Sequence, residues 1–109
     1  MNFDEYQRKA KSMAIYPAQY QIIYPALGIA GETGEVAELV KKWIRDERSH
    51  KMSDERRERI VKELGDILWY VSNLASDLNI SLDAVASTNI LKLEDRQARN
   101  VLQGDGDER

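Results

Sequence analysis

The stretch "GIAGETGEVAEL", Gly28 to Leu39, decides the fold and poses the functional question together. Its apolar residues recur at helical spacing, and a carboxylate falls among them. With Glu32 at zero on an ideal helix, Ile29, Val36, Leu39, Val40 and Trp43 lie within roughly 80° on either side. Glu35 sits about 60° away, at the border of that stripe, and Glu38 a further 60° or so, toward Lys41, Lys42 and Arg45. An apolar stripe on a helix is there to be buried. This helix therefore aims a carboxylate at the interior.

The same device recurs in "IVKELGDILWYVSNLASDL", Ile60 to Leu78. With Glu63 at zero, Ile60, Ile67, Tyr70, Val71, Leu74 and Leu78 lie within about 80°, and Asp66 stands about 60° to the same side as Glu35 does. Asn73 follows Asp66 along that edge. Packed antiparallel, the two helices gather Glu32, Glu35, Glu63 and Asp66 in one cleft.

Working outward, the chain reads as helices throughout, an all-α bundle of about four helices. Phe3, Tyr6, Ala10 and Met13 predict a first helix over about 3–15. Pro17 stops it, and Pro25 opens the next, about 25–47. The polar run around 48–53 is a connection. Ser53 or Asp54 caps a third helix, about 54–79, and Ser81 a fourth, about 82–102, with Gly104 as a stop and 103–109 as a flexible tail. One domain, 1–109, accommodates all of this.

Bulk composition narrows the function. The 109 residues are 42% hydrophobic and 32% charged, as a globular chain requires. There is no cysteine, so disulfides, thiolate metal sites and cysteine nucleophiles are excluded. The charged N-terminus lacks a signal-peptide core, no apolar run spans a bilayer, and a net charge of −3 gives no general affinity for nucleic acid. A cytoplasmic protein without membrane or nucleic-acid partners is the expectation.

A buried, unpaired carboxylate costs several kcal/mol even after relaxation, so each must protonate, pair or bind a cation. Four together repel one another. The nearest basic residues in sequence, Lys41, Lys42 and Arg45, turn to the other face. A hard divalent cation with oxygen ligands, Mg²⁺ with Mn²⁺ as a substitute, fits the donor set. A di-iron carboxylate site wants Glu-x-x-His pairs, and the single histidine, His50, lies in the polar connection. An isolated E-x-x-E is ordinarily solvated surface. Two of them, each inside an apolar stripe in the same orientation, are not.

"GIAGETGEVAELVKKW", "KELGDILWYVSNLASDLNISLD" and "NILKLEDRQARNVLQGDGDER" together resemble MazG-like nucleoside triphosphate pyrophosphohydrolases of the all-α NTP pyrophosphatase superfamily. The resemblance covers about residues 20–109. It implies Mg²⁺ ligation by Glu32, Glu35, Glu63 and Asp66, with Glu38 at a neighbouring acidic position and Glu35 or Glu38 as the base that takes a proton from water. The implied reaction cleaves a (d)NTP to the monophosphate and pyrophosphate, in housekeeping of the nucleotide pool. A non-catalytic helical oligomerisation or regulatory module with the same fold is the alternative. On the fourth helix, Asn89, Lys92 and Arg96 share a face and are expected at the phosphates, while Arg99 is expected in solvent. Trp43, Trp69 and Asn73 are the candidates for base contact, with Tyr20 and Tyr24 as further aromatics; core packing is the plainer role for each aromatic. The long helices, the "IYPAQYQIIYP" segment and the Leu64, Leu68, Ala75 side of the third helix leave apolar surface uncovered. A homo-oligomer follows, a tetramer built from two dimers or else a dimer.

Overall fold

A computed structural model describes residues 1–48 and 50–109; Ser49, within the expected connection, lies outside the described residues. The chain is all-helical: α1 (Phe3–Ser12), a single 3₁₀ turn (Ala18–Tyr20), α2 (Ile23–Glu47), α3 (Asp54–Asp77) and α4 (Leu82–Ala98), with no strand among the described residues.

The starts of α1, α3 and α4 have a local cause. Asn2, Ser53 and Ser81 have extended backbone and accept, through their side chains, the amides of Glu5 (2.9 Å), Arg56 (3.2 Å) and Ala84 (3.0 Å). Asp4, Glu5, Asp54, Glu55 and Asp83 add negative charge to the first turns. The ends differ from the sequence expectation in two places. α1 stops at Ser12 rather than near 15, because the Ser12 hydroxyl turns back onto the Lys9 carbonyl (2.6 Å) and the Met13 amide onto Ala10 (3.2 Å). α4 stops at Ala98 rather than near 102, and the residue that ends it is Asn100 and not Gly104. Asn100 takes φ 59°, and the Val101 amide reaches back to the Arg96 carbonyl (2.8 Å), the wrapped end that a left-handed residue allows. Asn79, at φ 59°, closes α3 in the same way through Ile80 and Ala75 (2.9 Å).

α2 begins at Ile23, two residues before Pro25, after a backbone outlier. Ile22 has φ 71° and ψ −52°, a region that costs a β-branched residue on the order of 1–3 kcal/mol. From there α2 packs along α3 as the main helix pair, while α1 bridges α3 and α4. The α2–α3 register is fixed by Gly28, whose missing side chain leaves room for the Tyr70 ring. One turn further along each helix, Glu32 comes level with Asp66.

The fold is open. Its radius of gyration is 16.9 Å, against about 13 Å for a compact chain of this length. Among the described residues, only Ala10, Pro25, Leu39, Ala75 and Leu82 are buried apolar side chains, and large apolar ones remain outside, Ile15 at 94% and Leu27 at 68% exposure among them. Leu64 is exposed as the sequence led us to expect, but Ala75 is buried within the chain, and Leu68 lines a cleft with Phe3 and Tyr6 because α1 lies over this side of α3.

Candidate metal and nucleotide site

The facing segments of α2 and α3 bring Glu32, Glu63 and Asp66 together, with one carboxylate oxygen of each within 4.8 Å of the others. Glu32 and Glu63 are half-buried and Asp66 is exposed, so the cluster opens to solvent on one side. A hydrogen bond shared with Glu63, then burial, then the charges of Glu63, Asp66 and Glu35 push the Glu32 carboxyl up to about 7. The causes are all carboxylates or desolvation. Among the described residues, no basic side chain offsets them. All-oxygen donors at this spacing fit a hard divalent cation.

Glu35 stands outside the group of three. It is exposed, one turn along α2, and close enough for its charge to act on Glu32. Glu38 turns to solvent and pairs with Lys41 at 2.9 Å, which holds its carboxyl below the usual carboxylate range.

Two tyrosines that the sequence reading did not assign to the site flank it. Burial and then the Asp66 charge raise the Tyr6 hydroxyl, and Tyr70 is raised by burial first, with Tyr24, Glu32 and Asp66 contributing. In the sequence, Tyr6 signals only the helical spacing of α1, and Tyr70 shares the apolar face of α3. Beyond Tyr70 lies a cleft of about 320 Å³ lined by Ile15, Tyr16, Pro17, Tyr24, Trp69 and Tyr70. Tyr16 and Tyr24 stack at 5.0 Å and 22°, and Trp69 meets Tyr70 edge-on at 5.2 Å. Tyr24, Gly28 and Glu32 are successive turns of one face of α2, so this cleft begins about 6–12 Å along the helix from the carboxylates. A larger cleft, about 470 Å³, lies between α1 and the α3–α4 turn, but it contains none of these groups; it is the seam where Gln7 bonds Ser76 (3.0 Å) and the Leu82 amide (2.7 Å).

The other expected residues are placed as follows. Trp69 lines the aromatic cleft. Trp43 is distant from it in sequence and donates its indole N–H to the His50 carbonyl (2.7 Å). Asn73 is fully buried and gives its amide to the carbonyls of Trp69 (3.2 Å) and Ala10 (3.4 Å), tying α1 to α3. Asn89 is exposed on α4. Lys92 and Arg96 share a partner in the tail: Asp107 Oδ1 accepts from Lys92 at 2.8 Å and from Arg96 at 3.1 Å, and the Asp107 carbonyl also accepts from the buried Arg96. Those two cations hold the Asp107 carboxyl below its ordinary range. Arg99, exposed as expected, pairs with Asp95 at 2.8 Å.

An all-helical chain whose two longest helices bring three carboxylates together falls in the class of helical carboxylate proteins, with a donor set that fits a divalent cation. A comparison with known families matches residues 25–101 to the MazG nucleotide pyrophosphohydrolase domain, and the chain belongs to that family. Among curated proteins, it is similar to the Gene 37 protein of Mycobacterium phage L5, at 40% identity over 115 residues covering all of both chains. No solved structure matches it. No helix among the described residues is long and apolar enough to cross a membrane.

Proposed function

We propose that the protein is a Mg²⁺-dependent pyrophosphohydrolase that converts (d)NTPs to monophosphates and pyrophosphate, a housekeeping activity of the cytoplasmic nucleotide pool. The observation that carries this is the convergence of Glu32, Glu63 and Asp66, one carboxylate oxygen of each within 4.8 Å of the others, in a chain of the MazG family. Glu32, Glu63 and Asp66 would hold the cation, with Glu35, one turn along α2, as the fourth carboxylate expected there. When bound, a divalent cation supplies charge neutralisation and acidifies water. Phosphoryl chemistry of this kind needs positioning and charge more than covalent help, and no nucleophilic side chain takes part.

The remaining roles fall to the chain's own residues. Water attacks one phosphorus of the α–β bridge, the bond from that phosphorus to the bridging oxygen breaks, and the nucleoside monophosphate and pyrophosphate separate, one carrying the bridging oxygen and the other the oxygen of water. Glu35 takes the proton from water; Glu38, bound to Lys41, is the weaker base. Lys92 and Arg96 meet the phosphates once Asp107 has been displaced. Trp69 belongs to the base site, together with Tyr16, Tyr24 and Tyr70. The exposed apolar residues of the 15–27 segment are covered in a homo-oligomer, a tetramer built from two dimers or a dimer.

Two measurements test the reading. Titrating Mn²⁺ by electron paramagnetic resonance should show tight binding to the wild type and its loss in Glu63→Gln and Asp66→Asn. A pyrophosphate-release assay with Mg²⁺ across ribo- and deoxynucleotides should show turnover by the wild type only. Cation binding without turnover of any nucleotide would favour the non-catalytic module; neither would remove the metal site as well.

A further inference from the structure

The outlier at Ile22 is more than a helix start. The Ile23 amide bonds the Gln21 carbonyl at 2.8 Å, closing a three-residue γ-turn of the rare positive-φ kind around a β-branched residue. Such a turn persists only where its surroundings over-determine it. Here the surrounding group is Asp77, on the last turn of α3. Its Oδ2 accepts the Ile22 amide at 2.9 Å and also the Tyr16 hydroxyl at 2.9 Å. One carboxylate oxygen thus fixes both ends of the 16–22 segment to α3.

Those two ends carry one wall of the aromatic cleft. Tyr16 stacks on Tyr24, which follows Ile22 by two residues, and Pro17 restricts the backbone between them. The opposite wall, Trp69 and Tyr70, belongs to the same helix as Asp77, about two turns earlier. A helix-end anchor would need only the Ile22 amide. The additional bond to Tyr16 fixes the ring itself, and so the width of the slot. Burial and the Asp77 bond push the Tyr16 hydroxyl up to about 12, so it remains a donor throughout the neutral range.

We propose that Asp77 is a positioning residue for nucleobase recognition: through Ile22 and Tyr16 it holds the Tyr16–Tyr24 wall against Trp69 and Tyr70 as a preformed slot for a planar aromatic ring. The inference rests on the base-site reading above. A slot held open in the free protein lowers the ordering cost of capture. Its lining is aromatic and apolar among the described residues, so it takes any base by stacking and discriminates weakly between them, favouring the larger purines.

The test uses binding, without metal or turnover. In a Trp43→Phe background Trp69 is the sole indole, and its emission reports the slot while calorimetry gives affinities for adenosine monophosphate and for ribose 5-phosphate. The parent should prefer the monophosphate by about tenfold or more, the scale of one stacked base. Asp77→Ala should bring the monophosphate down to the level of ribose 5-phosphate and leave ribose 5-phosphate unchanged. Tyr16→Phe, which keeps the ring, should lose about half of that preference on a logarithmic scale, and Asp77→Asn, which keeps an acceptor oxygen, should retain most of it. Should Asp77→Ala fold poorly, Tyr16→Phe decides. An unchanged monophosphate affinity in Asp77→Ala or Tyr16→Phe, or an equal loss for both ligands, overturns the positioning role. A parent with no preference for the monophosphate overturns the base-site reading and this inference together, and leaves the carboxylate site standing.

Discussion

Replacing Gly28 by alanine tests the register on which the carboxylate cluster depends. An added Cβ would sit 2.6 Å from Tyr70 Cγ and closer still to two other carbons of that ring. Ordinary carbon contacts are about 3.5–4.0 Å, so the ring must retreat by roughly 1 Å. It has little freedom to do so, with Trp69 edge-on at 5.2 Å and Tyr24 at 6.2 Å. Overpacking of this kind costs about 1–3 kcal/mol, and exchanging a mid-helix glycine for alanine returns about 1 kcal/mol. The expected net loss is about 0–2 kcal/mol. Gly34 is the control: it lies in the same helix, and nothing among the described residues stands within 4 Å of its added Cβ. Gly34→Ala should gain up to about 1 kcal/mol from propensity alone. Urea unfolding followed by circular dichroism, at one fixed protein concentration, gives both values. If Gly28→Ala gains as much stability as Gly34→Ala, Tyr70 does not lie against Gly28, and the alignment of Glu32 with Asp66 one turn away fails with it.

Three further outcomes follow from the same geometry. The Glu32 carboxyl at about 7 lies above the ordinary 4.5, so the metal-free folded protein holds a proton that the unfolded chain has released. That contribution is fully present below about pH 4.5 and is lost as pH rises through 7; its limit is roughly 3 kcal/mol, reduced by solvent access to about 1–2 kcal/mol. Metal-free wild type should therefore lose stability between about pH 5 and pH 8 relative to Glu32→Gln, and Mg²⁺ should restore it at the higher pH by displacing the proton; parallel pH profiles for the two proteins would refute the coupling. Asp107→Asn frees Lys92 and Arg96 from an exposed competitor and should lower KM for nucleoside triphosphates by about two- to fivefold; an unchanged or higher KM removes that pair from the phosphate site. Light scattering behind a sizing column should give a multiple of the 12.5 kDa chain, while a fully active monomer would mean that the exposed 15–27 segment needs no second copy.

What could be read from the sequence is what helix geometry fixes locally. The i, i+3 placement of Glu32 and Glu35, and of Glu63 and Asp66, follows from the helical period, and the opposition of the two apolar stripes then brings Glu32, Glu63 and Asp66 together. Ser53 and Ser81 announce helix starts because their side chains reach amides only a few residues away. Longer-range and strained features leave no such trace. Nothing in "QIIYP" signals a γ-turn at Ile22, since a β-branched residue is among the last to favour positive φ. That turn exists because Asp77, distant in sequence, holds it. Asn100 ends α4 ahead of Gly104 because asparagine also tolerates the left-handed conformation. The capture of Lys92 and Arg96 by Asp107 depends on how the tail folds back, and composition shows only a charged terminus. Asn73 lay on the right edge of α3, yet α1 covers that edge, and its amide is used in packing.

Phosphorus NMR of a nucleoside triphosphate incubated with the protein and Mg²⁺ shows whether the cluster of Glu32, Glu63 and Asp66 serves hydrolysis between the α- and β-phosphates. The triphosphate signals should give way to a nucleoside monophosphate and pyrophosphate in equal amounts, and Glu63→Gln at the same concentration should leave the substrate intact. A nucleoside diphosphate with orthophosphate as the products, or the same conversion by Glu63→Gln, would contradict that role.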